Sequence, residues 1–282
     1  MKQEKEHKKL KRIVVKVGSS TLSFPNGRIN LQRIEHLAGV LSGIQQEGYE
    51  LVLVSSGAIA VGGGLLGLQK KPTGLPGKQA LAAVGQAELM KMYQRFFEPY
   101  RQTVAQVLLT KDGLQEENKR LNARNTLNRL LEMKIIPVVN ENDTVSTHGI
   151  QFGNNDILAA YVAELIRADL VIILSDIDGL YTADPRKNPE AQLIETITDL
   201  TPRIRNMAGE SGNAFGTGGM AVKLDAARIC MDAGIDMVIT NGRNPGIIAE
   251  LLQGKKVGTR FVRQKISPFA PEELRWTKKV KR

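Results

Sequence analysis

Six short runs of apolar, largely β-branched residues constrain this chain most: RIVVKV at 12–17, ELVLVS at 50–55, TVAQVLL at 103–109, IIPVVN at 135–140, DLVIIL at 169–174 and DMVIT at 236–240. Most are near-continuous in hydrophobicity rather than alternating, the pattern of strands covered on both faces. Between them lie stretches with helical spacing, such as LQRIEHLAGVLSGIQQEG, whose Gly48 suits a C-terminal cap, and NARNTLNRLLEMK. This βαβα alternation predicts an α/β fold, a three-layer αβα sandwich around a mostly parallel sheet. Ligands of such sheets bind beyond the carboxyl ends of the strands. The segment GLYTADPRKNPEAQLIETITDLTPRIRN breaks the pattern with turn signals at DPRKNP and is a candidate excursion over the site.

Composition narrows the classes. With 282 residues, 42% of them hydrophobic, the chain can bury one large core or two modest ones. No stretch approaches the roughly 20 apolar residues of a membrane helix, and the basic start MKQEKEHKKLKR has no apolar segment behind it, so a cytoplasmic protein is expected. A single cysteine, Cys230, excludes an intrachain disulfide and a Cys-rich zinc site. It falls on the apolar side of AVKLDAARICMDAG, as a small buried hydrophobe would. The net charge of +10 is concentrated at the ends: residues 1–12 hold six Lys/Arg and two Glu, and residues 275–282 hold five Lys/Arg and no acid. The body between them is close to neutral, which argues against a nucleic-acid surface and for solvated tails.

The residues with chemical potential cluster at the strand exits. Lys16 lies inside an apolar strand, two residues before Gly18 and the pair Ser19 and Ser20. Either it meets an anion there or it snorkels to solvent from an edge strand. After ELVLVS comes SSGAIAVGGG, where Ser55 or Ser56 can bind a carboxylate or simply cap a helix. Gly62, Gly64 and Gly67 satisfy a dinucleotide fingerprint in form, but they follow a helical stretch instead of a strand. Glu141 and Asp143 put carboxylates after IIPVVN, suited to a substrate ammonium, and Asn155 and Asp156 open a helix. Asp176 and Asp178 follow DLVIIL as ribose or metal partners, or as turn residues. In GTGGMAVKLDAA, glycines 216, 218 and 219 precede a helix bearing Lys223, an arrangement that offers free N–H groups, a positive dipole end and a full charge to phosphate.

In chain order VVKVGSS, VSSGAIA, NARNT, VVNENDTV, GNNDILAA, SDIDGLYTADP, GTGGMAVK and KKVGTRF resemble the amino acid kinase family, and among its members most closely those acting on the side-chain carboxylate of glutamate. The resemblance runs from about Arg12 to Phe261. It implies that Lys16 and Lys223 contact phosphates and that Asp156 orients both, with these three as the catalytic set. It implies glutamate binding by Ser56, Gly57, Asp143 and Asn155. ATP would be bound by Lys16, Ser175, Asp176, Thr217, Gly218, Gly219, Met220, Ala221, Val222 and Lys223. It further implies Mg²⁺ carried by the nucleotide with no protein metal ligand, the first step of proline biosynthesis, and a homo-oligomer. The domain would span 12–265 between basic tails at 1–11 and 266–282. About 20 residues follow Phe261, so the C-terminal PUA domain of many members is not expected. Sister activities on N-acetylglutamate, aspartate or UMP, and a non-catalytic nucleotide-binding regulatory module, are the competing readings.

Overall fold

All six apolar runs form strands in the computed structural model, which describes residues 11–24, 29–68, 72–146, 155–210 and 219–263. They are β1 (Arg12–Val17), β2 (Glu50–Ser55), β3 (Val104–Leu109), β4 (Ile136–Glu141), β5 (Leu170–Ser175) and, after a short β6 (Thr196–Ile197), β7 (Asp236–Asn241). With β8 (Thr259–Phe261) they build one eight-stranded sheet in the order β3-β4-β2-β1-β5-β7-β8-β6. Every pairing is parallel except β7 with β8. Parallel strands share one carboxyl edge, so Val17, Ser55, Glu141, Ser175 and Asn241 end side by side. β1 is central, flanked by β2 and β5, with Lys16 opposite Val54 and Ile173. The edge-strand reading of Lys16 is thereby excluded.

The helices are α1 (Ser19–Leu22), α2 (Leu31–Gln46), α3 (Ala58–Leu65), α4 (Leu75–Phe97), α5 (Lys111–Gln115), α6 (Glu117–Glu132), α7 (Asn155–Ile166), α8 (Pro202–Glu210), α9 (Met220–Asp232) and α10 (Ile247–Leu252). Gly48 follows α2 with φ of +96°, a left-handed conformation that suits glycine. Strand side chains alternate between two cores. Ile13, Val15, Leu51, Leu53, Val138 and Ile172 face α2, α4 and α10 through Leu37, Leu41, Tyr93, Phe97 and Ile248. Val14, Val52, Val54, Val171, Ile173 and Ile239 face α6, α7 and α9 through Leu127, Ala159, Val162, Leu224 and Ala227. The result is helix, sheet, helix, as the sequence predicts. Lys16 has the parity of Val14, which points it at the layer containing α7 and α9. Cys230 is fully buried in that layer. None of the described helices is long and apolar enough to cross a membrane.

The irregular segment after β5 returns to the sheet through β6. It runs along the β8 edge, where Leu180 N–H donates to Thr259 Oγ1 at 2.8 Å and β6 pairs with β8. Leu180, Ile197 and Leu200 are buried in the α7 and α9 core. These apolar residues, spaced too widely to show a period, hold it there.

Candidate active site

Lys16, from the end of β1, and Lys223, from the first turn of α9, converge on Asp156 in the first turn of α7. The Lys16 ammonium is 2.6 Å from Asp156 Oδ1 and that of Lys223 is 3.1 Å from Oδ2. Asp156 is 0% exposed and each lysine 7%. Burial alone would raise the Asp156 carboxyl, but the two lysines more than offset it and hold it below the usual carboxylate range. Among the described residues, two buried ammonium groups share this one carboxylate, an arrangement that suits a further anion. Gly18 lies beside this group: a Cβ there would sit 3.4 Å from Lys16 Nζ, an ordinary contact.

A second group of side chains continues from Asn155, beside Asp156. Asn155 Nδ2 donates to Ser55 O at 2.9 Å, to Ser56 Oγ at 2.8 Å and to Asn140 Oδ1 at 2.8 Å. Asn140 Oδ1 also accepts from Glu141 N–H at 2.9 Å, and Asn140 Nδ2 donates to Gln86 Oε1 at 2.8 Å. Ser55 Oγ shares a 2.7 Å hydrogen bond with the fully buried Tyr93 hydroxyl. Gly57, at φ of +112°, turns the chain from β2 into α3 in a conformation that a side chain rarely tolerates. Gln86, Glu141 and Asp143 border a cavity of about 280 Å³ with Ala58 and Thr144. Burial and the neighbouring Glu141 push Asp143 up to about 6. Two carboxylates bordering one small cavity are suited to a cation.

On the other side of β1, Ser175 is buried at the end of β5 and donates to Asp176 Oδ1 at 3.2 Å, while Asp176 is exposed. Asp178 accepts from Asn241 Nδ2 at 2.7 Å and from the Tyr181 hydroxyl at 3.0 Å, a turn-stabilising role. Gly219 precedes α9 and is exposed, Met220 is buried, Ala221 is exposed and Val222 is intermediate. Thr217 and Gly218 lie outside the described residues. Among the described residues no three His, Cys, Asp or Glu side chains gather as a metal cage, and Asp156 is committed to two ammonium groups. A divalent ion carried by the phosphates of a bound nucleotide would need no such cage.

The structure thus brings Lys16, Asp156 and Lys223 together, and joins Asn155 directly to Ser56. Gln86, Asn140 and Tyr93 were not singled out from the sequence. Their trace is visible afterwards: the buried face of α4 reads Leu81, Ala82, Gly85, Gln86, Leu89, Met90, Tyr93, Phe97, and a glutamine in such a stripe needs a reason. Gly62 and Gly64 lie within α3 and Gly67 follows it, so the apparent dinucleotide fingerprint is a helix feature.

Residues 11–241 match the model of the amino acid kinase family. The chain belongs to that family. Within the amino acid kinase family, glutamate 5-kinase of Listeria innocua serovar 6a is 52% identical over 262 residues, covering 92% of this chain and 95% of that protein. Glutamate 5-kinase of Clostridium perfringens is 52% identical over 259 residues, 90% and 96% of the two chains. Among solved structures, carbamate kinase from Giardia lamblia bound to AMP-PNP superimposes with a TM-score of 0.65 at 15% identity, covering 90% of this chain and 99% of that one. UMP kinase from Bacillus anthracis gives 0.60 at 18% identity, over 91% and 97%. These last two show the amino acid kinase fold and no more.

Proposed function

We propose that this chain transfers the γ-phosphoryl group of ATP to the side-chain carboxylate of glutamate, giving L-glutamyl 5-phosphate, the step that opens proline biosynthesis. The observation that carries the reading is the buried Lys16–Asp156–Lys223 trio, linked through Asn155 and Asn140 to a cavity bearing Asp143. The glutamate 5-kinase relatives at 52% identity support the choice of acceptor.

The acceptor carboxylate is ionised at neutral pH, so its oxygen attacks the γ-phosphorus without a general base, and the bond to the ADP oxygen breaks in line. Of the three histidines, His36 is exposed on α2, and His7 and His148 lie outside the described residues. Lys16 and Lys223 neutralise charge on the transferring group, with Asp156 holding both amines in place. Mg²⁺ bound to the nucleotide would add to that neutralisation. Asp143 takes the α-ammonium, Ser56 and Asn155 border the acceptor at the Gly57 turn, and Ser175, Asp176 and residues 217–223 line the nucleotide site. Residues 12–265 would form the kinase domain, with basic tails on either side. A reducing cytoplasm suits a chain whose one cysteine is buried. Self-association would cover Leu65, Leu66 and Leu68, each about half exposed near the end of α3.

The test is turnover of Mg-ATP with glutamate, N-acetylglutamate, aspartate and UMP in parallel, with ADP release measured and acyl phosphate trapped by hydroxylamine. Glutamate should give hydroxamate, and N-acetylglutamate should be poorer by roughly 10³-fold in kcat/KM, because acetylation leaves Asp143 without its cation. Lys16→Met and Lys223→Met should each lower kcat by on the order of 10²–10³. Trapping with N-acetylglutamate and none with glutamate would overturn the acceptor. Absence of turnover with every acceptor would leave a nucleotide-binding module.

A further inference from the structure

Gln86 is 8% exposed, and its Nε2 is buried with no hydrogen-bond partner among the described residues, while its Oε1 accepts from Asn140 at 2.8 Å. Which end of the amide is unpartnered follows from two backbone groups, since neither can be flipped. The Asn155 atom that meets the Ser55 carbonyl must be its NH₂, so the Asn140 atom it meets next is oxygen. The Glu141 backbone N–H, donating to that same Asn140 oxygen, requires the identical assignment. The other end of Asn140 is then a donor, and the Gln86 atom opposite it is Oε1. Turning Gln86 over would set two NH₂ groups face to face. Its Nε2 is therefore a stranded donor, and a stranded buried donor calls for an acceptor.

Gln86 borders the same 280 Å³ cavity as Asp143, Glu141 and Thr144, on α4 opposite the start of α3. That cavity already offers carboxylates to a cation. An α-amino acid carries an anion on the same carbon as its ammonium, and that anion calls for a donor beside the carboxylates. If the acceptor's far carboxylate reaches Lys16 and Lys223, the carboxylate left beside the ammonium is the α one. Resting on the proposed acceptor chemistry, we infer that Gln86 recognises the α-carboxylate of the substrate through Nε2–H, and so determines specificity for an amino acid over a simple amine.

Three acceptors and one variant test it. Glutamate, its α-carboxamide isoglutamine, and 4-aminobutanoate all keep the ammonium and the reacting carboxylate but differ at the α substituent. Gln86→Glu preserves the acceptor facing Asn140 and replaces the donor with a negative charge. It should lower kcat/KM for glutamate by on the order of 10²-fold, chiefly through the glutamate KM, with the ATP KM unchanged. Isoglutamine, whose amide can donate to the new carboxylate, should suffer far less, so the glutamate-to-isoglutamine ratio should fall by about tenfold or more. Equal losses for all three acceptors, or no loss, would reduce Gln86 to a support for Asn140 and overturn the inference. If Gln86→Glu loses its cooperative melting transition, Gln86→Met takes its place: a greater loss for glutamate than for 4-aminobutanoate sustains the inference and equal losses overturn it. Wild-type protein that traps no hydroxamate from any of the three would sink the kinase reading itself, a result visible before any variant is made.

Discussion

Asp143 follows the exit of β4 and Asp156 lies in the first turn of α7, and their surroundings push them in opposite directions. Asp156 is held ionised by two lysines, whereas Asp143 is raised to about 6 by burial and by Glu141. An acid whose folded value lies above its unfolded one favours the folded state when protonated. The stability this contributes is present below the unfolded value of 3.8 and is lost as pH rises through about 6, and an arriving ammonium recovers it. The kinetic consequence is an acid limb. In the free enzyme kcat/KM for glutamate should fall as pH drops through about 6, well above the roughly 4.3 at which the substrate's own side chain protonates. Asp143→Asn should lower the plateau and remove that limb. A limb that survives the substitution would assign the titration to another group. The resemblance carried Asp143 to the site, but its raised pKa could not be read from the sequence, because it depends on the cavity wall that α3 and α4 build.

Those two helices meet on glycine. A Cβ on Gly85 would fall 1.8 Å from Ala58 O and 2.5 Å from Gly62 N, and one on Gly62 would fall 2.1 Å from Leu81 O. The backbones of α3 and α4 thus touch where α3 leaves the Gly57 turn and α4 presents Gln86. Gly85→Ala should push the helices apart, cost about 1–3 kcal/mol by overpacking, and raise the glutamate KM, measured by thermal melting and steady-state kinetics. Gly63→Ala is the control, since its Cβ would make only an ordinary 3.8 Å contact with Leu81. Equal melting temperatures for the two variants would show that the crossing has slack. This contact marks the limit of sequence legibility at the element scale. The six strands and the long helices are legible because each repeats its signal over six or more residues. The two short strands, Thr196–Ile197 and Thr259–Phe261, carry too few residues to repeat one. A glycine's partner across a helix crossing leaves no local pattern at all. Gln86 escaped for the same reason: only its two-step connection through Asn140 to Asn155 gives it meaning.

At the scale of the whole molecule, the strand order β3-β4-β2-β1-β5-β7-β8-β6 makes β1 the pivot, with the acceptor cavity toward β4 and the Ser175 end of the site toward β7. Alternation of strands and helices predicts a parallel sheet, but not this order, which is set by which helical face covers which strand. Every residue of the candidate site lies between Lys16 and Lys223, while the basic charge is concentrated in residues 1–12 and 275–282. Charge at the ends is therefore separable from chemistry in the middle. Deleting residues 1–9 and 277–282 should leave kcat/KM within about threefold and alter stability by no more than about 0.5 kcal/mol. The same deletion should abolish any salt-sensitive association with RNA, because phosphate binding of that kind scales with the number of Lys and Arg engaged. Kinetics, a melting curve and an RNA titration at two salt concentrations decide the matter together. Collapse of activity would place working residues in the ends. RNA binding that persists in the trimmed protein and weakens steeply with salt would place a nucleic-acid surface on the near-neutral body, against the charge distribution of the sequence.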